Sequence, residues 1–152
     1  METIRKIIES FGGMDALWDS KAIRINCDPF RWLLVELAER SPNGLTAISV
    51  RQQSRENGLT RTEIHVAFEI CDLGWLPYYY KNVFDVFEGV VYKQDSEGRI
   101  LTVRHTMRQK LIQIARDWDA LLEDREYTTL SGIHDVASFF PPPFFISRHP
   151  VL

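Results

Sequence analysis

Histidines are the first side chains of this sequence to test for metal binding or proton transfer. The chain has four of them, and no two stand at the i, i+4 spacing that places two ligands on one helix face. His134 is followed directly by Asp135, but adjacent residues of an extended segment face opposite ways. The sequence therefore predicts no metal site at any of the histidines, which are His65, His105, His134 and His149.

Nucleophiles and paired carboxylates give no stronger signal for catalysis. Cys27 and Cys71 lie outside any C-x-x-C motif, and G-x-S-x-G, Walker and G-x-G-x-x-G sequences are all absent. An isolated cysteine in an apolar segment is usually a small core residue. The carboxylate pairs are explained as solvated faces, and they are Asp85 with Glu88 and Asp117 with Asp119. We therefore expect a protein that is not an enzyme and that uses no cofactor.

Composition and charge narrow the class of protein further. The chain has 152 residues, of which 45% are hydrophobic and 26% charged, as expected for one globular domain. A net charge of −3 provides no overall basic field for nucleic acid, so DNA binding would need a local patch. The two cysteines are too few for a disulfide framework, and the amphipathic amino terminus lacks the apolar run of a signal peptide or membrane span. We expect a cytoplasmic protein that does not enter the membrane.

Three features could instead bind a protein partner. The first is the aromatic segment 75–81, in which a regular strand would place Tyr78 and Tyr80 on one face and Tyr79 on the other. The second is the basic beginning of the last helix, and the third is a Pro/Phe-rich tail with few sequence neighbours to cover its rings. The predicted partner-binding residues are Tyr78, Tyr79, Tyr80, Lys81, Arg104, Arg108, Phe139, Phe140, Phe144 and Phe145.

Hydrophobic periodicity predicts the elements that position these residues. Ile4, Ile7, Ile8 and Phe11 recur at helical spacing before Gly12-Gly13, which favours a helix over residues 2–11. Apolar and polar residues alternate over 22–26 and predict a strand. The segment 30–38 fits either a helix or a buried strand, and Asn-Gly within 41–44 indicates a tight turn.

The second half of the chain has clearer patterns. Residues 75–94 and 99–103 are rich in strand formers and flank a turn at 95–98, so they predict a hairpin. Apolar residues spaced by three and four predict a long helix over 105–124. Beyond residue 127 the Pro triplet between two Phe pairs indicates an extended tail.

The segment 57–77, NGLTRTEIHVAFEICDLGWLP, supports two interpretations with different functional consequences. As a helix with Thr60 as its N-cap, it would be the second helix of a helix-turn-helix, with 47–57 as the first and 75–103 as a wing. As a strand, it places Ile64, Val66 and Phe68 on one face and polar residues on the other. The helix would direct His65 and an acid toward DNA, which makes a poor reading surface.

Short motifs follow one another in a definite order along the chain. They are Gly12-Gly13, IRIN at 23–26, SPNGL at 41–45, ISV at 48–50, ENG at 56–58, FEI at 68–70, GWLP at 74–77 and RQKLIQIARDWDALL at 108–122. This order resembles an uncharacterised domain family that occurs in proteins of bacterial plasmids, phages and integrated elements. The resemblance implies an α+β domain in which EIHVAFEI is extended, and it implies no reaction, cofactor or catalytic residue. The chain departs from the pattern in its more helical FRWLLVELAER and in its tail.

We therefore expect a single α+β domain over 1–127, with an antiparallel sheet, an N-terminal helix and a long C-terminal helix, followed by a tail over 128–152. The favoured function is a non-enzymatic accessory protein of a mobile genetic element that binds a protein of host or element origin. The specific form of this function is inhibition of a host defence system. The sequence leaves open whether the chain forms a homo-oligomer. The alternative is a winged-helix DNA-binding regulator that uses Arg51, Arg55, Arg61, Lys93 and Arg99.

Overall fold

Six consecutive strands form an antiparallel meander that carries all the helices on one face. The structure is a computed structural model that describes residues 1–26 and 31–124, together with the backbone of 133–135. The helices are α1 (Glu2–Phe11), α2 (Gly13–Ser20) and α3 (His105–Asp124). The strands are β1 (Ala22–Asn26), β2 (Arg31–Ala38), β3 (Ala47–Glu56), β4 (Leu59–Cys71), β5 (Gly74–Asn82), β6 (Phe87–Val90), β7 (Tyr92–Gln94), β8 (Ile100–Val103) and β9 (Ile133–Asp135). The predicted α+β class is confirmed.

The main sheet has the strand order β6-β5-β4-β3-β2-β1-β9, and β7 pairs with β8 as a separate hairpin. Every pairing is antiparallel, so neighbours in sequence are also neighbours in space up to β6. β9 lies within the segment that the sequence assigns to the tail, and it pairs with β1 at the far edge. The four phenylalanines of that segment lie outside the described residues.

The core lies between one face of the sheet and the three helices. Ile4, Ile7 and Ile8 of α1 are buried, as the predicted helix over 2–11 requires. The predicted helix over 105–124 is also confirmed, and its buried stripe includes Leu111 and Trp118. A fully buried aliphatic side chain contributes about 1.5–3 kcal/mol, so these stripes are what hold the helices on the sheet.

The segment 57–77 is extended, and the helix-turn-helix interpretation of the fold is wrong. Residues 47–56 and 59–71 are the neighbouring strands β3 and β4. They are joined at Asn57 and Gly58, whose φ angles of 52° and 76° suit a two-residue hairpin turn. The predicted turn at 41–44 is also present, but Gly44 alone has a positive φ there. β4 pairs with β3 on one side and with β5 on the other, and that tertiary pairing decides between two locally acceptable patterns.

In two further segments the observed structure adds to what the sequence pattern predicts. The segment 30–38, which its sequence leaves open, forms the strand β2 from Arg31 onward. Gly12, with φ of 119°, ends α1 as predicted, but the chain continues at once into α2. Gly12-Gly13 predicts the end of a helix, because glycine favours the left-handed conformation of a C-cap. The same pair gives no sign of the short helix α2 that begins there.

Gly89 in β6 lies where α3 approaches the sheet closely. A Cβ at this position would lie 2.9 Å from Met107 Sδ and 3.1 Å from Leu111 Cδ2. We expect Gly89→Ala to lower the free energy of unfolding by about 1–3 kcal/mol because the added methyl overpacks this contact. Urea denaturation measures the change. Met107→Ala should cost less in the Gly89→Ala background than in the wild type, and equal costs would contradict the proposed clash.

Candidate functional site

The sheet face opposite the helices, called here the open face, carries most of the polar side chains of the central strands. Cross-strand pairing sets Leu34, Arg51, His65 and Lys81 in one row across β2, β3, β4 and β5. Among the described residues, the helices pack on the other face, and β7 with the 38–42 segment reaches only one corner of the open face. The open face is therefore the first place to search for a site.

Arg51 and Glu36 form a buried ion pair in the middle of this face. Arg51 Nη1 lies 3.3 Å from Glu36 Oε1, while Arg51 Nε and Nη2 have no hydrogen-bond acceptor among the described residues. Burial lowers the pKa of Arg51, which the nearby Glu36 carboxylate partly offsets. An ion pair of this kind organises the sheet face more than it stabilises it, because both charges have left water.

His65 and Ser49 form a contact that resembles a nucleophile and its base. Their side chains lie 2.8 Å apart between His65 Nε2 and Ser49 Oγ. Burial, followed by the charges of Arg51 and Lys81, lowers the pKa of His65 to about 3. A general base works best with a pKa near the operating pH, and Ser49 is fully buried. The pair therefore gives no support for hydrolytic chemistry.

The contact was missed in the sequence because Ser49 and His65 are 16 residues apart. The register of β3 and β4, in which Arg51 pairs with His65, brings them together. The Asn57-Gly58 turn sets the register only as far as Gln53, because an irregularity between Gln52 and Gln53 shifts the pairing by one residue before His65 is reached.

His65 also predicts how stability depends on pH. The unfolded chain protonates this histidine below pH 6.5, and the folded chain does so only below about 3, because its pKa is lowered. Unfolding therefore takes up a proton in this window, and stability falls as the pH falls, with a slope approaching about 1.4 kcal/mol per pH unit. We expect His65→Gln to make the decline between about pH 6 and 4 shallower by that slope in urea denaturation series.

The matched control for this pH series is His105→Gln, since His105 is exposed at the beginning of α3. It should leave the dependence on pH as it is in the wild type. An unchanged slope in His65→Gln would mean that the folded protein protonates His65 at mildly acidic pH, contrary to the lowered pKa.

A cavity of about 440 Å³ lies at one corner of the open face. Its lining includes His65 and Tyr79 from the sheet, Tyr92 from β7, and Arg40 from the segment after β2. Burial is the main cause that raises the pKa of Tyr79 to about 12, so its phenol is neutral. The lining also contains the charged side chains of Glu39 and Glu88, so the cavity offers both donors and acceptors of hydrogen bonds.

The side chains of the aromatic segment 75–81 lie in different environments. Tyr80 lies in the core, and Tyr79 on the open face donates a hydrogen bond of 2.9 Å to Glu88. A bulge at Tyr78 breaks the predicted alternation, so this ring packs against Tyr92 instead. Lys81 is exposed. The structure therefore leaves Tyr79 and Lys81 on the open face, while Tyr80 is inaccessible from it.

The two arginines at the beginning of α3 also lie in different environments. Arg104 is exposed, whereas Arg108 reaches under β7 and donates to Glu69 at 3.1 Å and to the Tyr92 hydroxyl at 2.7 Å. The Tyr92 hydroxyl in turn donates to Glu69. The Arg108 side chain thus connects elements within the domain. Phe139, Phe140, Phe144 and Phe145 lie outside the described residues.

The residues of the DNA-binding alternative lie in different environments, and Arg55 and Lys93 among them are exposed. Arg51 is buried, and Arg61 and Arg99 lie within 3.9 and 2.8 Å of the acidic residues Glu56 and Asp95. These partners reduce the positive potential that a phosphate backbone would meet.

The turn between β5 and β6, called here the hairpin tip, has an unusual combination of sequence and backbone. It consists of Val83, Phe84, Asp85 and Val86, although polar residues and glycine dominate turns. Val86 has φ of 51°, which is strained for a β-branched residue, and its side chain is 91% exposed. Phe84 is more than half exposed.

Asn82 braces this tip. Its Oδ1 accepts a hydrogen bond of 2.9 Å from the Phe84 backbone N–H, and its Nδ2 donates to Asp85 Oδ2 at 3.1 Å. The guanidinium of Arg61 lies 5.5 Å from the centre of the Phe84 ring. The strained backbone is therefore held by its surroundings, which is the usual condition for strain at a functional position.

An apolar groove runs beside the hairpin tip, between α3 and the end of the sheet. It has a volume of about 450 Å³. Its wall on α3 is formed by Ile114, Trp118 and Leu121, and its wall on the sheet by Ile64 and Phe87. Leu121 is an exposed large apolar residue, like Phe84 and Val86. We call the three residues Phe84, Val86 and Leu121, together with this groove, the tip patch.

The fold and these surfaces define a class of protein: an α+β domain with one helix-covered sheet and an exposed apolar patch at a sheet end. Among residues 1–26 and 31–124, no group of three or more His, Cys, Asp or Glu residues is placed to hold a metal ion. None of the helices within the described part of the chain is long and apolar enough to cross a bilayer.

The chain belongs to the family described as Domain of unknown function (DUF6908), whose model matches residues 2–128. Membership of an uncharacterised domain family, which the motif order indicates, is thereby confirmed. Neither a curated protein nor a solved structure matches the chain.

Proposed function

We propose that this protein is a non-enzymatic accessory protein of a mobile genetic element that binds a protein partner through the tip patch. Inhibition of a host defence system is the specific form that we propose for this binding. The observation that carries the proposal is Val86, an exposed apolar residue in a strained backbone at the end of a braced hairpin.

The energetics of the hairpin tip favour a binding role over a structural one. A residue in a sparsely populated backbone region costs about 1–3 kcal/mol, and a glycine or asparagine at position 86 would avoid most of that cost. Val86 gains little burial in return because it is almost fully exposed. A side chain that neither packs nor suits its backbone is explained if a partner covers it.

The tip patch also indicates the chemistry of the partner. Phe84 and Val86 project at the end of the sheet, beside an apolar groove with Lys110 and Asp117 in its lining. A protein that inserts an apolar side chain into the groove, and covers the tip, would bury a compact aromatic and aliphatic surface of the kind that forms interface hot spots. The mobile-element setting is supported by the motif order alone, and host defence inhibition depends on that setting.

Val86→Gly is expected to change stability and binding in opposite directions. Glycine accepts a positive φ, so the free energy of unfolding should rise by about 0.5–1 kcal/mol after the entropy of the unfolded chain is included. Partner binding should weaken about tenfold or more, because an interface apolar contact is lost without any loss of fold. Urea denaturation measures the first effect, and co-purification from the native host followed by titration measures the second.

Leu73→Ser is the matched control for this experiment. Leu73 is as exposed as Val86, but it lies in the turn between β4 and β5, at the opposite end of β5. The proposal holds if one protein is captured by the wild type and by Leu73→Ser but not by Val86→Gly or Phe84→Ser. Equal capture by all four proteins removes the tip patch from the interface. A salt-dependent shift of duplex DNA, retained in Val86→Gly, would favour the DNA-binding alternative instead.

A further inference from the structure

The guanidinium of Arg51 has hydrogen-bond donors that the described residues do not use. Arg51 is 1% exposed, and its Nη1 lies 3.3 Å from Glu36 Oε1. Its Nε and Nη2 are also buried, and neither has an acceptor in the part of the chain that the structure describes. Burying a charged group without partners is costly, so buried donors are ordinarily paired with protein atoms, water or an ion. The two nitrogens of Arg51 therefore need an acceptor.

These two nitrogens form one edge of the guanidinium, and that edge suits an oxyanion. Nε and Nη2 direct their N–H groups side by side, as a fork that receives two oxygens of a carboxylate or phosphate. A water molecule offers only one oxygen to this fork. In the planar guanidinium this edge is opposite to Nη1, so it is turned away from the Glu36 oxygen of the ion pair.

A second cavity, called here the Arg51 cavity, lies beside this arginine over strands β4 and β5. It has a volume of about 150 Å³, and its lining includes Arg51 and Lys81, which flank His65 in the row of paired residues. Neighbouring strands lie about 4.8 Å apart, so the two backbones are about 10 Å apart and the two long side chains can reach a common anion. Pockets for drug-sized ligands have volumes of about 300–1,000 Å³, so this cavity suits a single anionic group.

The electrostatics of two lining residues show that positive charge converges on the Arg51 cavity. Burial, followed by the charges of Arg51 and Lys81, lowers the pKa of His65 to about 3. Burial is also the main cause that raises the pKa of Tyr79 to about 12, and the charge of Arg51 acts in the opposite direction there. The Arg51 charge therefore acts on the side chains of β4 and β5 that line the cavity, and His65 remains neutral beside it.

The acids near the Arg51 cavity have other partners. Glu63 in its lining lies 3.7 Å from Arg31. Glu88 pairs with Lys81 in the strand register, but its carboxylate accepts a hydrogen bond from Tyr79. None of the ion pairs between described residues includes Lys81. The charge of Lys81 is therefore available to a bound anion.

We propose that the Arg51 cavity binds the oxyanion group of a small ligand, a phosphate or a carboxylate. Nε and Nη2 of Arg51 donate to two of its oxygens, and the exposed Lys81 adds its charge at the mouth of the cavity. Thr62 Oγ1 accepts a hydrogen bond of 3.1 Å from Gln53, so its own hydrogen is available to the anion. The Arg51 edge is buried, so the anion enters as the flexible Lys81 side chain moves aside.

This site is separate from the surface of the proposed function. The Arg51 cavity shares no lining residue with the groove of the tip patch. Oxyanion binding is measured on the protein alone, so its result does not depend on whether a protein partner binds the tip patch.

An NMR titration of the full-length chain with sodium phosphate tests the proposal. Sodium acetate is the second titrant, and sodium chloride of matched ionic strength is the control. We expect the Arg51 Nε–H signal to shift to saturation with phosphate, acetate or both, and not with chloride. Saturation with phosphate alone assigns a phosphoryl group, and saturation with acetate alone assigns a carboxylate. If neither titrant produces a saturable shift, the proposal is overturned.

Lys81→Gln tests whether the second positive charge belongs to the site. It should weaken the binding of the saturating anion about threefold to fivefold, the contribution of a partly exposed ion pair. Lys93→Gln is the matched control, because Lys93 is an exposed lysine of β7 outside the lining of the cavity. Its affinity should stay within about twofold of the wild type, since salt screens distant charges. Equal affinities of the two variants overturn the proposal.

Arg51→Lys tests the fork itself. Lysine keeps a positive charge near Glu36 but does not present two parallel N–H groups. The affinity for the anion should fall at least about tenfold, because charge-assisted hydrogen bonds are lost, and the His65 ring signals follow binding in variant and wild type. Undiminished affinity overturns the proposal. If this variant fails to fold, the comparison of Lys81→Gln with Lys93→Gln still decides.

Discussion

Arg108→Met is expected to lower the free energy of unfolding by about 3–5 kcal/mol, because it leaves a buried carboxylate without its counter-charge. The side chains of Arg108 and Glu69 are 12% and 2% exposed, and their nearest charged atoms lie 3.1 Å apart. Methionine keeps much of the length and apolar surface of the arginine stem, so the loss reports the charge and its hydrogen bonds. Urea denaturation at neutral pH measures it.

The Tyr92 hydroxyl makes this loss larger than that of a simple ion pair. It accepts a hydrogen bond from Arg108 and donates one to Glu69, so the three side chains tie α3, β4 and β7 together. Removing Arg108 therefore also disturbs the hydroxyl that remains. Domains of this size are stable by about 5–15 kcal/mol, so the variant should unfold at a clearly lower urea concentration.

Arg104→Met is the matched control, since Arg104 lies four residues earlier and is exposed. Its effect should stay within about 0.5 kcal/mol. Adding Glu69→Gln to Arg108→Met should recover part of the lost stability, because the uncompensated charge disappears. If the two arginine variants are equally stable, Arg108 is not the counter-charge of Glu69 in solution.

Trp32→Ala should also cost about 3–5 kcal/mol, which is the expected loss for a large buried aromatic side chain. Trp32 Nε1 donates a hydrogen bond of 3.0 Å to Gln53 Oε1 within the buried part of the open face. The alanine variant removes this buried ring and leaves the Gln53 oxygen without this donor. The free energy of unfolding again provides the measurement.

Trp18→Ala is the control for this variant, because Trp18 is 46% exposed at the surface of α2. Its removal should cost clearly less. The comparison also tests the burial of Trp32, since replacement of an exposed tryptophan would cost little. Equal costs for the two tryptophans would show that the open face is accessible to water in solution.

The helices and several strands could be predicted from sequence because their signal is local. The helices 2–11 and 105–124 match α1 and α3, and the strand 22–26 matches β1. In each of them the apolar side chains repeat with the period of one structure only. In β4 the periodicity fits both a helix and a strand, and the strand forms because β3 and β5 pair with it on both sides.

The candidate sites were harder to predict because they depend on packing. The aromatic segment 75–81 was identified, but the bulge at Tyr78 and the burial of Tyr80 follow from pairing with β4. Arg108 reads as a free surface charge until β7 and Glu69 lie against it. The hairpin tip was missed, since an apolar turn gives no turn signal and the positive φ of Val86 is visible only in the folded backbone.

The amino-acid sequence by itself determined the two long helices and favoured the α+β class over a winged helix, because hydrophobic period and the positions of glycine and proline act over a few residues. It also determined that the chain belongs to an uncharacterised family, through the order of short motifs along residues 2–128. The tertiary structure alone decided which side chains share a surface. Contacts such as His65 with Ser49 and Arg108 with Glu69 join residues 16 and 39 positions apart, and only strand register and helix packing bring them together.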